Sequence, residues 1–131
     1  MGETTHIRSD YNQSDGTLLT DRGSTVPLSN AQDGFAPYEL LLGGLSFCLF
    51  KTYESIAQKM KFTYDGVSMD ITGIKSDEKV ALLKTVRIDV VAKGVEEKAK
   101  FTKAFEIATR YCSVFNTLSK IAEMKWDIDF Q

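Results

Sequence analysis

Apolar positions follow two rhythms along the 131 residues, and the switches between them mark out the elements. Strict alternation runs through "VSMDITGI", where Val67, Met69 and Ile71 share one side, through "TVRIDVVAKG", with Val86, Ile88 and Val90, and through "KWDIDF", with Trp126, Ile128 and Phe130. A period of two is that of a half-buried strand, and the first two strands would pair antiparallel if joined by the charged turn around Ser76 to Lys79. Helical spacing sets Leu49, Tyr53, Ile56 and Met60 opposite Lys51, Glu54, Gln58 and Lys59 within residues 38–61. It returns with Phe101, Ala104, Phe105, Ala108 and Tyr111, breaks near Cys112 and Ser113, and resumes with Val114, Phe115, Leu118, Ile121 and Ala122. Upstream, Thr5 to Asp10 and Thr17 to Asp21 flank the turn-rich "NQSDG" and predict a hairpin. Ser24 to Pro37 reads as a polar loop leading to the first helix, with Pro37 in its first turn. The order ββαββααβ predicts an α+β fold, an antiparallel sheet with helices on one face, in one domain spanning residues 1–131.

The first helix departs from a simple packing pattern. "PYELLLGGLSFCLF" is apolar nearly all round, which predicts that the end bearing Cys48 is the deeper one. Gly43 and Gly44 lie side by side within it, and each costs about 1 kcal/mol relative to alanine, so a close neighbour at that backbone is expected. The longest apolar run, Leu40 to Phe50, is shorter than the roughly 18 residues that suggest a membrane span.

Composition narrows the function classes. Hydrophobic residues at 43% and charged residues at 26% suit a globular chain, and a net charge of -2 with scattered Lys and Arg offers no footprint for nucleic acid or an anionic membrane. Met1 to Asp10 lacks the charged-then-apolar pattern of an export signal, so a cytoplasmic location is expected. Two cysteines and one histidine cannot make a Cys/His zinc site, no Gly-rich phosphate loop is present, and no metal or cofactor is expected.

In a reducing compartment Cys48 and Cys112 are either inert core thiols or redox-active ones. A cysteine in an apolar helix commonly packs as a small hydrophobe, which is the plain reading of Cys48. Cys112 sits where one helix ends and the next begins, where amide donors favour a thiolate and where Ser113 could instead cap the turn. Glu39 stands at the entrance of the apolar helix, favoured by the helix dipole and able to orient a charged partner. His6, in an N-terminal strand, has no evident partner.

A helix opening Pro-x-Glu-Leu-Leu-Leu, followed by small residues and Cys48, with "YCSVFNTL" about 60 residues later, resembles the OsmC/Ohr family over nearly the whole chain. The resemblance implies an intertwined homodimer with active sites between subunits, and a thiol-dependent peroxidase acting on organic hydroperoxides in oxidative stress defence. Cys48 would be the peroxidatic thiol, oxidised to a sulfenic acid, and Cys112 the resolving one, with a dithiol reducing their disulfide. Three positions depart from the peroxidase branches: Tyr38 stands ten residues before Cys48 where they carry a glutamate, with Glu39 one residue on; Ser14 replaces an arginine before Asp15-Gly16; and Ser113 replaces a proline after the second cysteine. Less-characterised OsmC-like branches share the spacing from Glu39 to Cys48, and the chain resembles those more closely. Arg8 and Arg22 are the candidate cations for a Cys48 thiolate. The apolar neighbours Leu45, Phe47, Leu49, Phe50, Phe115 and Leu118 predict an apolar pocket. The alternative is an OsmC-like protein that binds a small hydrophobic ligand at the dimer interface and performs no thiol chemistry.

Overall fold

The computed structural model describes residues 2–131. Its elements run β1 (Ile7–Asn12), β2 (Asp15–Thr20), β3 (Thr25–Leu28), α1 (Pro37–Met60), β4 (Gly66–Lys75), β5 (Leu83–Lys93), α2 (Lys98–Tyr111), α3 (Ser113–Ser119) and β6 (Glu123–Phe130). They fall into two units, one of described residues up to Leu41 and one from Leu42 to Gln131.

In the first unit the predicted hairpin forms with Asn12 opposite Asp15, its turn accommodating Gln13 at a φ of 62°. A third strand joins it. β3 lies inside the stretch expected to be a polar loop and pairs antiparallel with β2, Val26 opposite Leu18. It is a four-residue edge strand containing Pro27, and proline, which has no N–H to give to a ladder, is tolerated only at such an edge. His6 does have a partner, since its Nδ1 lies 2.9 Å from Asp21 Oδ1 at the surface.

The second unit is built on β5, which lies between β4 and β6. Val86, Ile88, Val90 and Ala92 on this central strand are buried, whereas the apolar residues of β6 are only half-buried. β4 pairs antiparallel with β5, Ile71 opposite Ile88, as the alternation predicts. β6 pairs parallel, Trp126 opposite Ile88, so the sheet is mixed and not wholly antiparallel. The reason is the connection: α2 and α3 return the chain to the end at which β5 began, and a helical crossover of that length permits the parallel pairing that a tight turn forbids.

Burial on α1 follows one stripe, Leu45, Leu49, Tyr53 and Ala57, spaced four residues apart. Tyr53 is 1% exposed, and its ring meets those of Phe62, Tyr64, Phe101 and Phe105, with Phe101 nearest at 4.8 Å between centroids. Phe105 in turn lies 4.9 Å from Trp126 on β6, which ties α1, α2 and the sheet into one aromatic core. The end bearing Cys48 is not deeper than the rest. Phe47, one residue before it, is 68% exposed. A methyl group added at Gly43 or Gly44 would meet nothing within 4 Å among the described residues, so the close neighbour expected there is not found among them. By length and composition alone α1 could cross a bilayer, its best window having a mean hydropathy of 1.2, although Glu39, Lys51, Glu54 and Lys59 interrupt it.

The hydroxyl of Tyr53 is buried with no hydrogen-bond partner among the described residues, and burial pushes its ionisation well above the ordinary range. An unpaired buried hydroxyl opposes folding by about 1–3 kcal/mol, while the ring supplies the packing. Tyr53→Phe should therefore be neutral or stabilising by about 1 kcal/mol in urea unfolding. A loss of more than about 1 kcal/mol would mean that the hydroxyl has a partner in solution.

Candidate active site

The break between α2 and α3 is a single extended residue. Cys112, at φ -72° and ψ 116°, ends one helix and caps the next: its N–H donates to Ala108 O at 2.8 Å and its Sγ accepts from Phe115 N at 3.4 Å. Asn116 fixes the corner, its side-chain amide donating to the carbonyls of Thr109, Arg110 and Cys112 at 3.1, 3.1 and 2.8 Å. The carbonyls of Thr109 and Arg110 lie in the last turn of α2, where helix carbonyls lack an intrahelical partner, while that of Cys112 also accepts from Asn116 N at 3.0 Å. Sequence reasoning passed over Asn116, although an asparagine one turn into a new helix, directly after a helix break, is a residue type suited to such bridging.

This corner aims the Cys112 thiol at α1. Its Sγ lies 3.1 Å from Cys48 Sγ, and both thiols are reduced. Cys112 is fully buried and Cys48 partly exposed, so one face of the pair is open to solvent. The backbone at Cys48 is held as well, its carbonyl accepting from Thr52 Oγ1 at 2.9 Å. Burial is the largest influence on Cys112 and pushes its thiol up from 9.0 to about 11, against the opposing pull of the Phe115 N–H. Cys112 is therefore a protonated thiol at neutral pH.

Glu39 is engaged elsewhere. Its Oε1 accepts from Ala36 N at 2.7 Å, the reach back from the third helical residue that closes half of a capping box at the start of α1. Glu39 thus satisfies the N–H of Ala36, which has no side-chain acceptor with which to return the bond. Of the candidate cations, Arg8 pairs with Asp10 at 3.1 Å in its own strand, and Arg22 is exposed in the turn after β2. Ser14 is an exposed turn residue.

The predicted apolar pocket is also differently composed. Leu45, Leu49 and Leu118 are buried in the core. Phe47 and Phe50 line a shallow cleft with Gly43, Ser46, Val67 and Met69, and a separate groove of about 540 Å³ between α1 and α2 is lined by Lys51, Thr52, Ser55, Ile56, Lys59, Ile107 and Tyr111. Thr52 bonds the Cys48 carbonyl and Tyr111 precedes Cys112, so the groove reaches the helical turns that carry the pair, with Ile56 and Ile107 as apolar walls and two lysines. No group of three or more His, Cys, Asp and Glu that could hold a metal occurs among the described residues.

The family model described as OsmC-like protein matches residues 30–127. A search of curated proteins by sequence returns no match. Among solved structures, an OsmC-like protein from Mycoplasma pneumoniae is 19% identical, with 99% of each chain covered and a TM-score of 0.88. The organic hydroperoxide resistance protein OhrB of Bacillus subtilis is 17% identical, covering 97% of this chain and 98% of its own, at 0.74. An OsmC-like protein of unknown function from Vibrio cholerae is 17% identical, covering 98% and 100%, at 0.83.

The upward shift of Cys112 has a thermodynamic sign. Below pH 9.0 the thiol is protonated whether folded or not; between there and about 11 the unfolded chain loses the proton that the folded chain keeps, so stability falls as pH rises through this window. Under reducing conditions the wild type should lose more unfolding free energy across that interval than Cys112→Ser. Parallel pH curves for the two proteins would show that Cys112 titrates in the fold as it does in the unfolded chain.

Proposed function

Since the chain belongs to the OsmC-like family, we propose that it is a thiol-dependent peroxidase that reduces organic hydroperoxides, with Cys48 as the attacking thiol and Cys112 as the resolving one. The observation that carries this reading is the 3.1 Å separation of the two reduced sulfurs across α1 and the α2–α3 corner. Solved neighbours named as organic hydroperoxide resistance proteins support a peroxide-related role for the family.

The chemistry runs in three steps. The Cys48 thiolate attacks the terminal oxygen of the hydroperoxide; an S–O bond forms, the O–O bond breaks, and the departing alkoxide takes a proton from solvent to leave as the alcohol. Cys112 sulfur then attacks the Cys48 sulfenic acid; an S–S bond forms, the S–O bond breaks, and the hydroxide leaves as water with the Cys112 proton. A dithiol reductant restores both thiols by exchange, becoming a disulfide itself. Because the sulfurs already lie side by side, the second step needs only a small local shift and protects Cys48 from further oxidation. The groove beside the pair receives the organic part of the substrate, Ile56, Ile107 and Tyr111 providing its apolar wall. A cytoplasmic location would keep the pair reduced at rest.

The working form is a homodimer. Phe47 lies exposed beside the open backbone of Gly43 and Gly44, and this face also opens a shallow apolar cleft formed with Phe50, Val67 and Met69. A helix from a second copy would cover that face and account for the two glycines, beside which no described residue packs closely.

The decisive experiment follows consumption of an alkyl or aryl hydroperoxide with a dithiol present. Wild type should turn over, Cys48→Ser should not, and without reductant one equivalent of peroxide should leave the protein lighter by two hydrogens, with Cys48 linked to Cys112. No consumption by the wild type, combined with tight binding of apolar ligands, would favour the ligand-binding alternative.

The dimer has its own test. Gly43→Ala and Gly44→Ala should each favour the helix by about 1 kcal/mol if the face is bare, and should weaken association if a second copy covers it. Sedimentation at micromolar concentration should therefore show a wild-type dimer and dissociating variants. A wild-type monomer, further stabilised by both substitutions, would remove the partner.

A further inference from the structure

A thiolate at Cys48 needs a stabilising partner, and the surrounding helices supply no free cation close to it. On α1, Lys51 is paired with Glu54 at 2.7 Å, and Lys59 stands three turns farther along. On α2, Arg110 is paired with Glu106, and Lys103 faces the same carboxylate. The seven residues of α3 carry no charge, and Tyr111, beside Cys112, is turned outward.

What does reach Cys48 is the other thiol. Cys112 Sγ accepts the Phe115 N–H on one side, which leaves its own S–H to point along the 3.1 Å line to Cys48 Sγ. The opposite polarity, with Cys112 charged and Cys48 donating, would put the charge on the sulfur that is fully buried rather than on the one open to water. We infer that Cys112 has a second task before it resolves anything: its S–H is the hydrogen-bond donor that holds Cys48 as a thiolate in the resting protein, in the position where a cation would otherwise stand. Burial keeps that proton in place, with the Cys112 thiol pushed up to about 11. The same proton later leaves with the hydroxide as water, so one atom serves both half-reactions. Only this last point rests on the peroxidase reading.

The test alkylates Cys48 with iodoacetamide in the full-length reduced protein, following the rate by mass across pH for wild type, Cys112→Ala and Cys112→Ser. Alkylation requires no resolution, so a resolving role alone leaves all three profiles superimposed. The donor role predicts that Cys112→Ala moves the midpoint up by about one pH unit and slows the reaction about tenfold at pH values below both midpoints. Cys112→Ser, which keeps an O–H donor, should stay within about threefold of wild type. A wild-type profile in Cys112→Ala overturns the inference, as does an equal shift in both variants, which would mark a packing effect. Should the variants not fold, the S–H stretching band of Cys112 in the wild type must move to lower frequency as Cys48 ionises, and an unmoved band overturns the proposal. Peroxide consumption is measured separately. An inactive wild type with the alkylation shift intact sinks the peroxidase reading and leaves the donor standing, whereas an active wild type without the shift does the reverse.

Discussion

The ring of Tyr53, 4.8 Å from Phe101 and 6.0 Å from Phe105, fixes how far α1 can slide along α2. Cys48 lies five residues before that ring, and Cys112 seven residues after Phe105. A slip of one residue along a helix moves a side chain by 1.5 Å and turns it by about 100°, enough to separate two sulfurs now 3.1 Å apart. The contact that matters to the chemistry is thus set by an aromatic lock that takes no part in it. Trp126 and Phe130 anchor the same lock to β6, so the parallel strand closing the sheet also bears on the thiols, through two layers of packing.

Against this order on one side, the side of α1 that bears Phe47 is left partly open, meeting only Val67 and Met69 across a shallow cleft among the described residues of its own unit. Leu45 and Leu49 are buried while Phe47, between them, is exposed, so the helix is amphipathic in its placement without being amphipathic in its composition. A soluble chain rarely leaves an apolar helical face uncovered, and two glycines there remove the side chains that would hold a partner at a distance. The apolar surface left open beside Phe47 is what a second copy would bury.

Much of this was legible in the sequence, and the failures share a cause. Alternation located β4, β5 and β6, and the stripe through Phe101, Phe105 and Ala108 located α2, because one face of each is buried within the chain itself. The break at Cys112 was legible from the lost periodicity. β3 was not, because a short edge strand needs no buried face on both sides and its Pro27 reads as a loop signal. The direction of β6 depends on a crossover that no local pattern records. Even burial along α1 was misjudged: apolar residues all round a helix state that every face gets covered, and say nothing of whether the cover belongs to the same chain. Glu39 is legible as a charge at the entrance of an apolar helix, but its bond to Ala36 N is a capping contact that depends on the local turn.

The position of the cysteine pair also reverses a common expectation about burial. Desolvation penalises a thiolate, which ordinarily makes a buried cysteine inert. With two thiols side by side and only one of them open to water, the penalty falls unequally, and the proton stays on the inner sulfur. The inner sulfur is also the one tied to a backbone N–H and to a corner stapled by Asn116, so its S–H is oriented as well as retained. Low local polarity then strengthens the bond it donates, as it does for any hydrogen bond shielded from water. An electrostatic task often given to arginine can in this way be met by asymmetry of burial, and that requires neither a charged neighbour nor the capping carboxylate nine residues upstream.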